Sequence, residues 1–396
     1  MNAKVVIVIG FLVAAGALVF FSMRGKSADK PPADTPTGTT APVAPKDKVA
    51  ISLLYSTEKK EWIESVVAEF QKAHPEIQVD LVGKGSIDAA QDIIDDKAKP
   101  TLWSPADSLV LHMAMDDWET KTRKPLFPSA DEDAPQPLVI TPLVFAIWED
   151  RADVLIKASG GAVSWKALRK AIVSNQGWPA IGGKEEWGFV KLGHTNPTRS
   201  NSGLQALLLM AFEFYGKRTG VEVADLLKPD FQAFVKDIEK GVTKFETSTG
   251  TFMTDMIRFG PSKYDIAVVY ENLAISQLEN AQGRWGSLKV YYPSVTIWSD
   301  HPCGILAGDW VTEPQRQAAR KLLAYMRSRP SQELALAYGF RPADPSVAVK
   351  TADPKNPFMR LQQYGISVDV PPAADLPDVA VTRNVLMMWA RVVGQK

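Results

Sequence analysis

The sequence predicts an α/β protein that folds into two globular units. Its 396 residues exceed what a single hydrophobic core usually organises. From Val49 onward, strand-like apolar runs alternate with segments whose apolar residues recur at helical spacing, and the links between them are short. Such strand–helix repeats indicate parallel strands covered by helices. Hydrophobic residues make up 45% of the chain and charged residues 23%, as in ordinary soluble globular proteins.

The N-terminal region predicts a protein at or across a membrane. An apolar run from Val5 to Met23 is flanked by Lys4 and Arg24, and its length is close to the roughly 20 residues that a membrane helix needs. A cleaved signal peptide with small residues at 15–17 is the alternative. We favour an uncleaved anchor, since the apolar run continues past that cleavage site. Either interpretation makes residues 1–24 a membrane anchor or a signal peptide and puts the chain at or across a membrane; basic residues on both sides leave its orientation open.

A tether is predicted to connect this segment to the folded part. Residues 25–48 are rich in Pro, Thr, Ala and Lys and offer almost nothing apolar to bury. Such a composition favours a disordered, semi-extended chain.

The first part of the folded region alternates three times between strand and helix. Trp62, Val66 and Phe70 recur at helical spacing, and His74-Pro75 ends that helix. The predicted strands are Val49–Tyr55, Ile77–Val82 and Thr101–Trp103, and the predicted helices are Lys59–Ala73, Ser86–Lys97 and Pro105–Trp118.

The second part begins with a long apolar strand, Leu138–Trp148, which we expect to pass from one globular unit into the other. The alternation then continues to the end of the chain. Further predicted strands are Gly188–Leu192, Asp265–Tyr270, Lys289–Tyr292 and Gly304–Leu306. Further predicted helices are Trp165–Val173, Asn201–Tyr215, Phe231–Ile238, Phe252–Phe259, Asn272–Leu278, Gln315–Met326, Gln332–Ala337 and Val381–Val393.

Composition and motifs argue against several classes of function. Lys and Arg together number 45, as do Asp and Glu, so no net charge favours a nucleic acid as partner. Cys303 is the only cysteine, which excludes an intramolecular disulfide and a thiolate metal cluster. The sequence contains no HExxH, GxSxG or Walker motif. We therefore expect no enzyme, no catalytic residue, no metal site and no cofactor.

The polar loop at residues 193–205 is the most informative segment. It joins a predicted strand to a strongly apolar helix, whose first N–H groups and positive dipole end favour an anion. Hydroxyl, amide and guanidinium donors follow one another in Thr198, Arg199, Ser200, Asn201 and Ser202. We expect Gly203 to allow a ligand close to the backbone. An ordinary helix cap with a solvated Arg199 explains the same residues, and local sequence alone favours that cap.

Three other strand-to-helix loops share this character. Ser56 and Thr57 follow the first strand, Gly85 and Ser86 follow the second, and Ser104 follows the third. Ligands of open α/β sheets bind beyond the carboxyl ends of strands. Together these loops favour a ligand site, although Ser and Thr are also common helix caps.

Several motifs resemble a family of bacterial extracellular solute-binding proteins. They are Thr195–Leu207, Val268–Asn272, Tyr292–Pro302 and Gly308–Trp310, in the family's order and spacing. The family is related to type II periplasmic binding proteins, which include binders of sulfate, molybdate and phosphate. The resemblance implies a two-lobed architecture with a ligand cleft between the lobes and two crossing hinge segments. Lobe I would comprise residues 49–142 plus 299–396, and lobe II residues 143–298.

The resemblance also implies how the site is built and used. A small molecule or ion, an oxyanion among the candidates, would be captured by hinge closure for an ABC-type permease. The alternative is a membrane-tethered envelope scaffold or sensor that retains the fold. The implied ligand-facing residues are Ser56, Thr57, Gly85, Ser86, Ser104, Thr198, Arg199, Ser200, Asn201, Ser202, Tyr270 and Glu271.

Two features of these segments depart from a simple anion binder. Glu271 would repel an oxyanion unless it is protonated or paired; it would otherwise hold a cationic group or pair with Arg199 or Lys84. The adjacent Tyr291 and Tyr292 resemble the tyrosine pair of ferric-ion binders in the same superfamily. We favour strand alternation, with one ring inward and one outward, as their explanation.

Overall fold

The computed structural model describes residues 48–129 and 132–394. The predicted membrane segment at residues 5–23 and most of the predicted tether lie outside this described part. Within it, no helix combines the length and the apolar character needed to cross a membrane. Contacts within the described residues join both sheets into one compact unit.

Eleven strands and fourteen α-helices make up the described part of the chain. The strands are β1 Val49–Tyr55, β2 Ile77–Gly83, β3 Leu102–Ser104, β4 Gln136–Pro137, β5 Val139–Trp148, β6 Leu192–Gly193, β7 Ile266–Tyr270, β8 Leu288–Tyr291, β9 Trp298–Ser299, β10 Pro302–Ile305 and β11 Arg341–Pro342. The helices are α1 Lys60–Ala73, α2 Ser86–Ile94, α3 Ser108–Thr122, α4 Glu149–Ser159, α5 Trp165–Ile172, α6 Asn201–Tyr215, α7 Val223–Leu226, α8 Pro229–Glu239, α9 Thr249–Phe259, α10 Glu271–Leu278, α11 Glu313–Met326, α12 Arg329–Ala337, α13 Pro357–Arg360 and α14 Val379–Val392.

The first sheet has the strand order β2-β1-β3-β10-β4. Strand β1 pairs in parallel with both β2 and β3, as the strand–helix alternation predicts. Strand β10 runs antiparallel to β3 and to β4. Tyr55 lies opposite Gly83 on one side and Ser104 on the other, so the three parallel strands end at the same level. The loops that follow them therefore emerge side by side.

The second sheet is organised around β5, which pairs antiparallel with β7, β8, β9 and β11. Strand β6 adds to β7 in parallel. Alternate residues of β5 enter different cores: Phe145 packs into the larger cluster, whereas Val144 packs into a second one. A strand that is buried on both faces has an unbroken apolar sequence, which explains the long run seen at this point.

The chain passes from the first sheet to the second between β4 and β5, and it returns between β9 and β10. A further passage places β11 on β5, and α14 then packs against both α3 and α6. The lobe boundaries 49–142 plus 299–396 and 143–298 stay a prediction.

Several predicted elements have different bounds in the structure. The third helix begins at Ser108 because the side chain of Asp107 caps it by accepting a hydrogen bond from the Val110 N–H. Helix α2 ends at Ile94, and Asp96 follows in the left-handed region with φ of 66°. The strand predicted at Gly188–Leu192 is reduced to Leu192–Gly193, preceded by a 3₁₀ turn at Glu185–Trp187.

Candidate ligand-binding site

The loops after β1, β2 and β3 are joined to one another by backbone and side-chain hydrogen bonds. The Ser56 N–H donates to the Ser104 carbonyl over 3.0 Å. The Ser86 hydroxyl accepts from the Ala106 N–H over 2.9 Å. These loops therefore form one continuous surface at the carboxyl edge of the first sheet, where α1, α2 and α3 begin.

The N-termini of three helices that pack with the second sheet meet this surface. Helix α6 begins at Asn201, α9 at Thr249 and α10 at Glu271. Ser202 connects the first two, because its hydroxyl lies 2.7 Å from the hydroxyls of both Thr195 and Thr249.

The expectation that Gly203 leaves room for a ligand is wrong. A Cβ at Gly203 would lie 2.3 Å from the Thr195 carbonyl oxygen and 2.8 Å from the Pro197 nitrogen. The preceding loop of the chain packs directly against this glycine, so Gly203 allows that loop to lie close to the start of α6.

Asp107 joins the two sides at the centre. Its Oδ2 accepts from Asn201 Nδ2 over 2.8 Å and from Gln205 Nε2 over 2.7 Å. Asn201 Nδ2 also donates to the Tyr270 hydroxyl, and Gln205 Nε2 donates to Ser299 Oγ. All five side chains are buried. The N-cap of α3 is thereby bound to the first two turns of α6.

Lys59 fills the space beside this bridge. Its ammonium group donates to Ser56 Oγ, the Ser104 carbonyl and the Pro105 carbonyl over 2.6, 3.0 and 2.9 Å, and its side chain has no exposed surface. His301 Nδ1 lies 3.3 Å from the same ammonium and 3.3 Å from Glu58 Oε1. We call this set the central cluster: Ser56, Glu58, Lys59, Ser104, Asp107, Asn201, Gln205, Tyr270, Ser299 and His301.

Burial determines the protonation behaviour of the central cluster. It lowers the pKa of Lys59 to about 8, against the opposing effect of Glu58. It raises the pKa of Asp107 to about 7, and repulsion from Asp300 acts in the same direction. Burial, followed by the charge of Lys59, holds the pKa of the His301 imidazole well below its ordinary value. The cluster therefore disfavours isolated charge of either sign.

The loops after β1, β2 and β3 meet the starts of α6, α9 and α10 along a contact that we call the seam. Most of the predicted site residues lie at or near it. Ser56, Ser104, Asn201 and Tyr270 belong to the central cluster. The hydroxyl of Thr57 faces that of Ser248 over 2.9 Å. The remaining residues on the seam are Gly85, Ser86, Ser200 and Ser202.

Three predicted residues do not face the interior of the seam. Thr198 is exposed and bonds to Asn196 within its own loop, and Arg199 is an exposed partner of Asp88 over 2.8 Å. Glu271 is buried, and the expectation that it pairs with Arg199 or Lys84 is wrong. Its carboxylate accepts two hydrogen bonds of 2.8 Å from Arg341, which β11 carries to this position from 70 residues further along the chain.

The adjacent tyrosines contact different groups. Tyr292 donates to Glu271, whereas Tyr291 lies near Asp153 and Glu149, whose charges add to burial in raising its pKa. Within residues 48–129 and 132–394, no group of three or more His, Cys, Asp or Glu side chains has the arrangement to hold a metal ion.

A groove opens beside the central cluster and has a volume of about 450 Å³. The Thr57–Lys59 turn and α1 form one wall, and α9 and α10 form the other. We call it the side groove; its lining includes Thr57, Glu61, Ser248, Asp255, Asn272 and Phe340. Asn272 Nδ2 donates to the Glu58 carbonyl over 3.1 Å, whereas its buried Oδ1 accepts no hydrogen bond from the described residues.

Sequence reasoning missed Lys59, Asp107, Gln205 and Asn272. Asp107 had a detectable signal, since an Asp two residues after a proline is a common helix cap. Lys59 had none, because an isolated lysine at a helix start is ordinarily solvated.

The chain is similar in fold to several solved periplasmic binding proteins. A periplasmic thiamin-binding protein is 14% identical with a TM-score of 0.61, covering 92% of this chain and 100% of its own. The sulfate-binding protein SubI from Mycobacterium tuberculosis H37Rv is 18% identical with a TM-score of 0.54. That match covers 87% of this chain and 98% of SubI. AfuA from Actinobacillus pleuropneumoniae, solved with fructose-6-phosphate, is 14% identical with a TM-score of 0.55, covering 87% and 96%.

These likenesses confirm the predicted two-lobed α/β fold. No curated protein matches the sequence. The model of one family, described as bacterial extracellular solute-binding protein, matches residues 51–341, which is most of the chain. This chain therefore belongs to the bacterial extracellular solute-binding protein family.

Proposed function

We propose that the protein captures a small solute between its two lobes and delivers it to an ABC-type permease. One observation carries this proposal: the N-termini of helices that pack with each of the two sheets meet along one polar seam. Across it, Thr57 faces Ser248 and Asp107 faces Asn201. Membership of the solute-binding family supports it. A similar fold is present in an ABC transporter structure from Clostridium perfringens, at 12% identity and a TM-score of 0.54.

Capture would proceed by hinge closure. The contacts across the seam are hydrogen bonds between short side chains, which can break together when the lobes separate about the passages between the sheets. A ligand that contacts both walls shifts the population towards the closed arrangement by its preference for that arrangement.

The charges on the seam favour a neutral or cationic solute over an oxyanion. Glu58 and Asp107 are buried at the centre and outnumber the one ammonium group there, that of Lys59, so an oxyanion in this medium of low dielectric constant would not be favoured. The hydroxyl groups that suggested an oxyanion site bond largely to neighbouring side chains.

The site of action would be the extracytoplasmic side of the membrane. The family supports this location. Retention of residues 5–23 as an anchor, with residues 25–48 as a tether, would hold the binder near its permease and raise the effective concentration of the pair.

A scaffold or sensor is the second candidate. One specific observation favours it: the central cluster is filled by the chain's own side chains, so the two walls are held together without any added group. A protein with this role would bind partners through its surface and would show no tight small ligand.

A thermal-shift panel followed by a disulfide lock separates the two. The panel comprises sulfate, molybdate, phosphate, thiamin, glucose, amino acids and spermidine. A ligand at a hundred times its dissociation constant adds about 2.7 kcal/mol to the unfolding free energy and raises the melting temperature by several degrees. A flat panel would contradict capture and favour the scaffold.

The lock is the double variant Thr57→Cys/Ser248→Cys, since the native hydroxyls are 2.9 Å apart and disulfides need such proximity. The oxidised variant should exchange the panel's ligand at least about tenfold more slowly than the same variant after reduction. Equal exchange rates in both forms would exclude lobe opening. Each single-cysteine variant serves as a control.

A further inference from the structure

We infer that the side groove binds an organic cation that carries an ammonium group on an apolar body. This inference rests on the proposed solute capture and adds the class of ligand and its position. The groove lies between walls from both lobes, so a ligand there would contact both. Its volume of about 450 Å³ suits a small organic molecule.

The charges that line the groove are mainly negative. Glu61 and Asp255 contribute carboxylates, against the single ammonium of Lys60, whereas the Glu58 carboxylate bonds to Ser56 and faces His301 in the central cluster. Lys60 is 3.9 Å from Glu64 on the same helix, and Asp255 pairs with Lys263 over 2.7 Å. The exposed Glu61 carboxylate has no ionic or hydrogen-bonding partner among the described residues. It therefore provides an uncompensated negative charge at the rim.

Three helix starts approach the groove, those of α1, α9 and α10, and a bare helix start favours an anion. Glu61 lies in the first turn of α1 and opposes that preference. Glu271 in α10 is paired with Arg341, and α9 has no acid in its first turn. The preference for a cation therefore rests on the Glu61 carboxylate and on the Asn272 acceptor, and not on the helix dipoles.

Asn272 supplies an independent observation. Its side chain lines the groove and is only 3% exposed. The Nδ2 bond to the Glu58 carbonyl fixes the amide orientation, so Oδ1 is a buried acceptor without a donor from the described residues. An unsatisfied buried acceptor is unfavourable because it has lost its bonds to water. An N–H donor of a ligand would satisfy it, whereas a fully deprotonated oxyanion such as sulfate or molybdate has no donor to offer.

The rest of the lining is apolar and aromatic. Trp62, Met253, Leu273, Tyr338 and Phe340 line the groove. Aromatic faces attract organic cations through their quadrupoles, and the apolar surface buries the carbon body. A hydrated metal ion would gain nothing from such a wall. The combination favours an amine-bearing organic cation.

The experiment titrates the full chain with spermidine, putrescine and phenethylamine by calorimetry at low ionic strength. 1,4-Butanediol and phenethyl alcohol are neutral counterparts, and sulfate, phosphate and glucose represent other classes. The test variant is Glu61→Gln. Its matched control is Glu64→Gln, which removes the same charge from the same helix outside the groove lining.

We expect an amine to bind and its neutral counterpart not to bind. Glu61→Gln should weaken binding about five- to tenfold and Glu64→Gln less than about twofold, as the loss of one charge-assisted contact predicts. Equal effects of the two variants would overturn the position in the groove. Binding of sulfate, phosphate or glucose alone would overturn the ligand class and leave solute capture standing. Absence of any binding would overturn both.

Discussion

The central cluster and the side groove lie next to each other on the same seam, yet they differ in how they satisfy their polar groups. In the cluster, the ammonium group of Lys59 and the carboxylate of Asp107 are buried and bonded to neighbouring atoms. In the groove, Glu61 and Asn272 Oδ1 have no such partners, and space for a ligand remains. The difference is that the polar atoms of the cluster bond to one another, whereas the groove leaves volume and unpaired atoms for a ligand.

The largest expected effect tests whether the cluster holds the fold together. Lys59→Ala removes the donor to Ser56, Ser104 and Pro105 and leaves the buried Glu58 carboxylate without its neighbouring cation. We expect the unfolding free energy to fall by about 3–5 kcal/mol, measured by urea denaturation with tryptophan fluorescence. The adjacent Lys60→Ala is the control and should have little effect, since its side chain is 64% exposed. Similar losses for both lysines would refute a supporting role for the cluster.

A second prediction uses the protonation of Asp107. Burial raises its pKa from 3.8 to about 7, so between these values the folded protein retains a proton that the unfolded chain has released. The folded state then binds more protons, and the contribution of this group to stability is fully present below about pH 4 and is lost as the pH rises towards 7.

The measurement compares the wild type with Asp107→Asn, which does not titrate. The unfolding free energy of the wild type relative to the variant should fall by up to about 4 kcal/mol from pH 4 to pH 7. Asp309→Asn, at an exposed position, controls for general effects of charge removal. A difference that does not change with pH, or that rises, would contradict the assignment.

The smallest expected effect lies at the surface of the seam. Arg199 pairs with Asp88, but its side chain is 52% exposed, so solvent and salt screen the interaction. Arg199→Ala should lower the unfolding free energy by less than about 1 kcal/mol, and the loss should shrink at high salt. Asn201→Ala, two residues along, should destabilise more because it removes a buried donor to Asp107. Urea denaturation at low and high salt checks both; a larger loss for Arg199 would reverse the comparison.

Much of the fold could be predicted because its determinants are local. The spacing of Trp62, Val66 and Phe70 defines the buried face of α1, and Ser200 before an apolar run predicts α6 from Asn201. The family could be predicted from residues 195–207 for the same reason. The predicted ends of some helices were wrong by a few residues. Helix α3, for example, was predicted to begin at Pro105, but Asp107 caps it and the helix begins at Ser108.

The candidate site could be predicted only in part. The parallel register of β1 with β2 and β3 brings Ser56, Gly85 and Ser104 to one edge, as the alternation implies. The partners of these side chains come from distant positions: Glu271 pairs with Arg341, and Asp107 bonds to Asn201. No local pattern encodes such pairings.

The sequence by itself determined the α/β class, the family, the helices that cover the sheets and the hydroxyl-bearing loops at the strand ends. These follow from residue periodicity and capping, which act over a few neighbouring residues. Only the tertiary structure decided that Lys59 is buried, that Asp107 joins α3 to α6, and that Asn272 lines a groove with an unpaired acceptor. The physical reason is that burial and pairing depend on groups brought together from far apart in the chain, and the free energy of a charge depends on those groups and on its access to water.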